Sequence, residues 1–200
     1  MRLVVPFAAV AIATLALAGC SNQAPAPSVD VPVATAPAVA AATPTSTAAP
    51  GTNERGNLVK APGETAGWGV TNDDLSVKFV VDKITVDPKC TSQFASKSEN
   101  GHLVQLDIRV ETTATMPTNA GYSMNPYSWS AIGPDGVTES SLTTAATFSC
   151  LDSKAQLPVD FSPASKYRGS IMLDTSSTTG TLIFRPAFVN AGGWEWAYGV

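Results

Sequence analysis

The feature that most constrains the fold of this chain is an alternation of apolar and polar residues within His102–Thr112. Residues at every second position share one face of a β-strand, whereas a helix would scatter them around its surface. The stretch therefore predicts a strand with one buried face and one solvated face. The apolar positions are Val104, Leu106, Ile108 and Val110, and the polar ones are Gln105, Asp107, Arg109 and Glu111.

Shorter segments of the same kind follow, with turn residues between them. Gly133–Gly136 predicts the turn of a hairpin that joins Tyr127–Ile132 to Val137–Glu139. A second turn is predicted at Ser162–Ser165, ahead of a strand at Lys166–Asp174. The other predicted strands are Leu75–Asp82, Lys83–Val86, Thr181–Arg185 and Trp194–Tyr198.

These segments predict an all-β chain. About seven to nine short strands with turns between them are typical of an antiparallel, immunoglobulin-like β-sandwich. Lys89–Ser98 and Ser140–Ala146 have no sustained helical periodicity and are predicted as loops, with one turn of helix at most. We expect the sandwich to occupy residues 63–200, roughly 140 residues in one domain.

The N-terminus has the pattern of a secretory leader. Arg2 gives a positive start, Leu3–Ala18 carries no charge, and Leu17–Cys20 reads Leu-Ala-Gly-Cys. A spanning helix needs about 20 apolar residues, and this run is shorter. The four residues resemble the lipobox of bacterial lipoproteins. That resemblance implies a signal peptide at residues 1–19. It also implies a diacylglyceryl thioether with acyl chains such as palmitate on Cys20, and an anchor on the extracytoplasmic face of the cell membrane.

Residues 20–62 are predicted to form a disordered linker behind the lipidated cysteine. The stretch is rich in Ala, Pro and Thr and has few large apolar side chains, so it cannot bury enough surface to offset its ordering entropy. The formal net charge of the chain is −4, and Lys and Arg are spread singly along it. We therefore expect no nucleic-acid partner, and membrane attachment through lipid rather than through a basic patch.

Cys90 and Cys150 are the two cysteines left once Cys20 is assigned to lipid. An even pair in an oxidising compartment predicts a disulfide. A redox-active pair normally has Cys-x-x-Cys spacing, which is absent. We interpret the bridge as a structural clamp between loops.

The sequence contains no catalytic constellation, so we expect no enzyme activity, no cofactor and no metal. A Ser-His-Asp site would need His102, the single histidine, and no serine lies in a Gly-x-Ser-x-Gly elbow. Structural zinc sites need four ligands and catalytic ones usually three, and His102 is the one Cys or His residue left once the cysteines are assigned to lipid and to the disulfide. Asn72–Asp74, with Asp82 and Asp87, offers carboxylates but lacks the spacing of a calcium loop.

Two groups of aromatic residues are candidate binding surfaces. Exposed, such rings stack on sugars or anchor a protein partner, whereas buried rings fill the core. Core packing is favoured for the group in the last predicted strand. The groups are Trp194, Trp196 and Tyr198 on one face of that strand, and Tyr122, Tyr127 and Trp129 around the loop 121–126.

The order of these elements resembles a family of telokin-like, immunoglobulin-like extracellular domains. They occur on lipoproteins and secreted antigens of Gram-positive bacteria and of their temperate phages. The parts that carry the resemblance are His102–Thr112, Ser162–Asp174, Thr181–Arg185 and the aromatic last strand. The resemblance implies a seven-to-nine-stranded sandwich and supplies no catalytic residues.

Two functions remain open at this point. The first is a non-enzymatic binding module that engages wall polymer or another envelope protein, with phage superinfection exclusion as one specific form. The alternative is an envelope hydrolase that acts on polysaccharide or ester, which requires at least two convergent titratable groups in a cleft.

Overall fold

The computed structural model describes residues 51–69, 75–118, 122–189 and 192–199. The predicted signal peptide, Cys20 and the linker up to residue 50 lie outside these ranges. No helix within them has the length and apolar character needed to cross a bilayer. The strands are β1 (Leu58–Val59), β2 (Thr65–Trp68), β3 (Val77–Val86), β4 (His102–Thr112), β5 (Trp129–Ile132), β6 (Thr138–Glu139), β7 (Lys166–Thr175), β8 (Gly180–Phe184) and β9 (Trp194–Tyr198), and the helix is α1 (Ala145–Ser149).

The strands form two sheets that pack face to face. One has the order β1-β9-β8-β5-β6 and the other the order β2-β3-β4-β7. Every pairing of these strands is antiparallel except that of β1 with β9. Buried side chains from both sheets make one apolar core. The predicted all-β sandwich is confirmed, and its immunoglobulin-like relationship stays a prediction.

Strand β4 lies in the four-stranded sheet between β3 and β7 and has the predicted bounds. Its alternating aliphatic residues are all buried, as period-two patterning requires. The two predicted segments before it form one strand, β3, with a register shift between Val81 and Lys83. A bulge of this kind keeps Ile84 and Val86 packed against the core despite the extra residue.

Four of the six candidate aromatic residues are core. For the group in the last strand, the favoured alternative of core packing is confirmed, whereas Trp129 as a surface residue is wrong. Trp129, Trp194, Trp196 and Tyr198 are all buried. Their rings point from the five-stranded sheet toward the other sheet, where the ring centroid of Phe79 lies 5.4 Å from that of Trp194 and 6.1 Å from that of Trp196. Large rings at the centre of a sandwich remove more apolar area from water than a smaller side chain does, so burial is the favoured outcome.

The folded domain begins earlier than predicted. Strand β1 pairs with β9, with Leu58 opposite Trp194, and β2 pairs along the edge of β3. Asn57 is fully buried. Residues 52–62 therefore belong to the domain and not to the predicted linker. Their Asn, Glu, Arg and Leu side chains differ from the Ala/Pro/Thr composition upstream, and this shift was the available signal.

A group of polar side chains, here called the clasp, fastens this N-terminal segment to β9. The clasp consists of Asn53, Arg55, Asn57 and Glu195. Glu195 lies on the face of β9 opposite the aromatic row, yet it is buried because the segment covers it. Burial raises the pKa of this carboxyl, but hydrogen bonds from Arg55, Asn57 and Asn53 outweigh burial and leave the pKa below its ordinary range.

The outer face of the four-stranded sheet is covered over one half only. There Leu103 and Met172 pack under Ala146, Cys150 and Leu151 from α1 and the turn after it. A disulfide joins Cys90 to Cys150, as predicted, with an S–S distance of 2.08 Å. A five-residue helix is too short to be stable alone, so the bridge and this small apolar cluster hold α1 in place.

Candidate functional site

Three exposed apolar side chains from different segments lie near the disulfide end of the sandwich. We call them the rim patch, which consists of Tyr127, Phe148 and Val159. Their exposed fractions are 73%, 48% and 51%. The ring centroids of Tyr127 and Phe148 are 6.0 Å apart, while Phe148 and Val159 border the same small cavity. Exposed apolar groups that converge in this way are typical of an interaction surface.

The local sequence explains why the two rings point outward. Pro126 begins a single 3-10 turn at Pro126–Ser128, which places Tyr127 at its apex. Thr144 and Thr147 form a reciprocal capping box that starts α1. Because Ala146 and Cys150 face the sheet, Phe148 lies on the solvent side of the same helix.

Hydrogen bonds hold the backbone beneath the rim patch in place. Gln156 Nε2 donates to the backbone oxygens of Phe148, at 3.2 Å, and Leu151, at 3.0 Å. The segment that carries Gln156 pairs with the edge of β7, where Leu157 N donates to Ser170 O at 3.0 Å. A Cβ on Gly169 would lie 2.5 Å from Leu157 N, so only glycine permits this approach.

A buried carboxylate holds the loops next to α1. Asp174 is fully buried and accepts hydrogen bonds from Ser98 Oγ at 2.5 Å, Glu99 N at 2.8 Å and Thr144 Oγ1 at 2.7 Å. A buried carboxylate without such donors is strongly unfavourable. The network therefore fixes the loop 96–101 against the start of α1, and with it the position of Phe148.

The structure separates the second predicted aromatic group. Tyr127 is exposed, Trp129 is core, and Tyr122 is half-buried with its ring centroid 5.0 Å from that of Phe188. Of the six residues predicted as candidate surface, Tyr127 is the one that is exposed. Phe148 was missed because it lies outside any strand pattern, although Thr144, Ala145 and Ala146 are suitable residues for a helix start.

His102 pairs with Asp87 at the β3–β4 connection. Its Nδ1 lies 2.9 Å from Asp87 Oδ2, and Leu103 N donates to Asp87 Oδ1 at 3.2 Å. Among the residues described, no serine hydroxyl hydrogen-bonds to the imidazole, and no three His, Cys, Asp or Glu side chains are grouped as metal ligands. Asp82 pairs with Arg109, while Asn72–Asp74 lies outside the described ranges.

Comparisons with known proteins give one structural similarity. No family model matches the chain, and no curated protein matches it. The chain is similar to the 1.5 Å crystal structure of a secreted protein from Mycobacterium tuberculosis, MPT63. The two are 11% identical with a TM-score of 0.40, over 70% of this chain and 97% of that one. This similarity does not assign the chain to a family.

Proposed function

We propose that this protein is a lipid-anchored, extracytoplasmic binding module, not an enzyme, and that its rim patch contacts another envelope protein. The observation that carries the proposal is the pair of exposed rings, Tyr127 and Phe148, on a base held by the Cys90–Cys150 disulfide. Exposed aromatic anchors on a rigid base lose little entropy on binding.

Two features support the extracytoplasmic location. Leu17–Cys20 ends an uncharged leader in the pattern of a lipobox, and a disulfide persists in oxidising compartments. A diacylglyceryl group on Cys20 would hold the protein durably at the membrane. Fatty-acid labelling of cells should therefore mark the wild-type protein and not Cys20→Ala, and equal labelling of both would remove the anchor from the proposal.

The chemistry of the rim patch favours a protein partner over a sugar. Sugar sites combine a stacking ring with polar side chains that bind hydroxyl groups. The Tyr127 hydroxyl is the only polar group that the three side chains offer, and the two rings are inclined at 37° and do not form one flat platform. Apolar aromatic anchors of this kind fit a pocket on another protein.

The test is to express the tagged full-length protein in the cells that naturally produce it. Envelope proteins are then cross-linked to it and recovered through the tag. Tyr127→Ala combined with Phe148→Ala should abolish recovery of a specific partner. Val137→Ala is the control, because Val137 is also exposed and apolar but lies on the β5–β6 hairpin. Equal recovery by the double variant and the wild type would refute a rim-patch partner.

A further inference from the structure

The uncovered half of the four-stranded sheet's outer face forms a groove that is separate from the rim patch. The groove has a volume of about 460 Å³ and lies across β3, β4 and β7, with Thr65 of β2 at one side. Basic residues that are far apart in the sequence converge on it. Its charged lining residues are Lys78, Arg109, Glu111, Lys166 and Arg168.

Two of these cations already have partners. Arg109 donates from Nε and Nη2 to Asp82, with N–O distances of 2.7 Å to 3.0 Å. Lys166 Nζ donates to Glu111 Oε1 at 2.7 Å. These bonds lower the pKa of Asp82 and of Glu111 below their ordinary range, so both carboxylates remain charged at neutral pH.

The other two cations, Lys78 and Arg168, make no direct ion pair with any residue that the structure describes. Each still lies near a carboxylate, because Arg168 helps to lower the pKa of Asp82 and Lys78 helps to lower that of Glu111. Arg168 also lies directly opposite Arg109 in the β4–β7 ladder. Like charges opposite each other on neighbouring strands are unfavourable. Four cations and two carboxylates, counting Asp82, leave a net charge of +2 at this groove, on a chain whose formal net charge is −4.

The cations are arranged in two cross-strand rows. Lys78, Glu111 and Lys166 are register partners in one row. Arg109 and Arg168 are partners in the next row. Strands in a sheet are about 4.8 Å apart, so Lys78 and Lys166 begin roughly 10 Å apart across the groove. An extended anion that crosses the strands can therefore meet Arg168 and both lysines.

We propose that this groove binds a polyanion whose charges are phosphate groups, with Arg168 and Lys78 as its main contacts. A guanidinium offers a planar fork that matches phosphate oxygens, and the lysine supplies a second point charge. Arg168 and Lys78 together carry more N–H donors than the two oxygens of one carboxylate accept, so a ligand with several phosphate groups suits them better than a single carboxylate. The two aromatic residues that border the groove, Phe79 and Tyr167, pack into the core between the sheets. Their rings are therefore not offered for base stacking, which disfavours a single-stranded nucleic acid.

The test is a titration of full-length protein in detergent with labelled inorganic polyphosphate, at low and at physiological salt. Arg168→Gln combined with Lys78→Gln should weaken binding about tenfold at low salt, because two charge-assisted contacts are lost. Lys89→Gln combined with Lys97→Gln is the matched control, with the same loss of two charges on exposed residues of another loop. The control should retain affinity within about twofold.

Four results would overturn the proposal. They are no binding of polyphosphate by the wild type, equal weakening by both double variants, equal binding of a polygalacturonate of matched charge, and tighter binding of a single-stranded oligonucleotide. Urea unfolding of the same variants separates loss of folding from loss of binding. Removal of Arg168 takes away both its repulsion with Arg109 and its attraction to Asp82, so the urea midpoint of the groove variant should stay close to that of the wild type.

Discussion

Arg55 binds both carboxylate oxygens of Glu195, a residue 140 positions further along the chain. The Nε–Oε1 distance is 2.7 Å and the Nη2–Oε2 distance is 2.6 Å. Asn57 Nδ2 donates to the same carboxylate at 2.6 Å, and Asn57 Oδ1 accepts from Arg185. The clasp thus joins the point where the chain enters the domain to its last strand, beside the parallel β1–β9 pairing.

Glu195→Gln should destabilise the domain. The substitution removes the charge that accepts bonds from Arg55 and both asparagines, at a cost of about 2 kcal/mol in the free energy of unfolding. Urea unfolding measures the change. Glu111→Gln is the control, because Glu111 forms an exposed pair with Lys166 and its loss should have little effect. Equal effects of the two substitutions would contradict a stabilising clasp.

The contribution of Glu195 to the free energy of unfolding should disappear in acid. Its pKa in the folded protein is below its ordinary range, so its stabilisation is complete above the unfolded pKa of about 4.3 and is lost as pH falls through the folded value. The difference in unfolding free energy between wild type and Glu195→Gln should therefore shrink below about pH 4. Urea midpoints from pH 7 to pH 3 measure it, and a constant difference would count against this linkage.

The strands that the sequence predicts well are those in which apolar and polar residues alternate. Strand β4 has the predicted bounds, and two of its polar side chains, Arg109 and Glu111, lie in the open groove. The alternation in Trp194–Tyr198 predicts a strand equally well, but it cannot show that Glu195 is buried. That burial depends on the segment 53–57, whose position is set by tertiary contacts between distant parts of the chain.

Replacement of Trp196 by alanine should lower the free energy of unfolding far more than replacement of Tyr127 by alanine. Trp196 is fully buried, and its indole N–H has no acceptor among the described residues, so it stabilises the fold by packing. Trp196→Ala should cost about 3–5 kcal/mol of unfolding free energy. Tyr127→Ala should change it by less than about 0.5 kcal/mol, since the ring is exposed. Thermal and urea unfolding compare the two, and similar losses would contradict their placement.

Loss of the Cys90–Cys150 bridge should destabilise the domain by up to about 4 kcal/mol, because the cysteines are 60 residues apart. The measurement is urea unfolding of the oxidised protein and of Cys90→Ala combined with Cys150→Ala. The same variant should recover less of the rim-patch partner, because α1 then loses its disulfide link and is held by its small apolar cluster and by the hydrogen bonds of Asp174 and Gln156. An unchanged unfolding midpoint would show that the bridge does not stabilise the fold.

The residues of the two proposed binding surfaces are brought together by the fold, so the sequence alone does not predict either surface. Tyr127 is visible as an aromatic residue beside a proline, but Phe148 becomes its neighbour only when α1 docks on the sheet. Lys78 and Arg168 are 90 residues apart in the sequence and appear as isolated charges. Strand register alone places them at one groove.

Site-specific photo-cross-linking in intact cells tests the central claim most directly. A photoreactive phenylalanine analogue at position 127 should give a discrete cross-linked protein, and the same analogue at position 137, another exposed apolar site, should give none. Adding Phe148→Ala should abolish the product at position 127. No product at position 127, or the same product from both positions, would contradict a binding module that works through its rim patch.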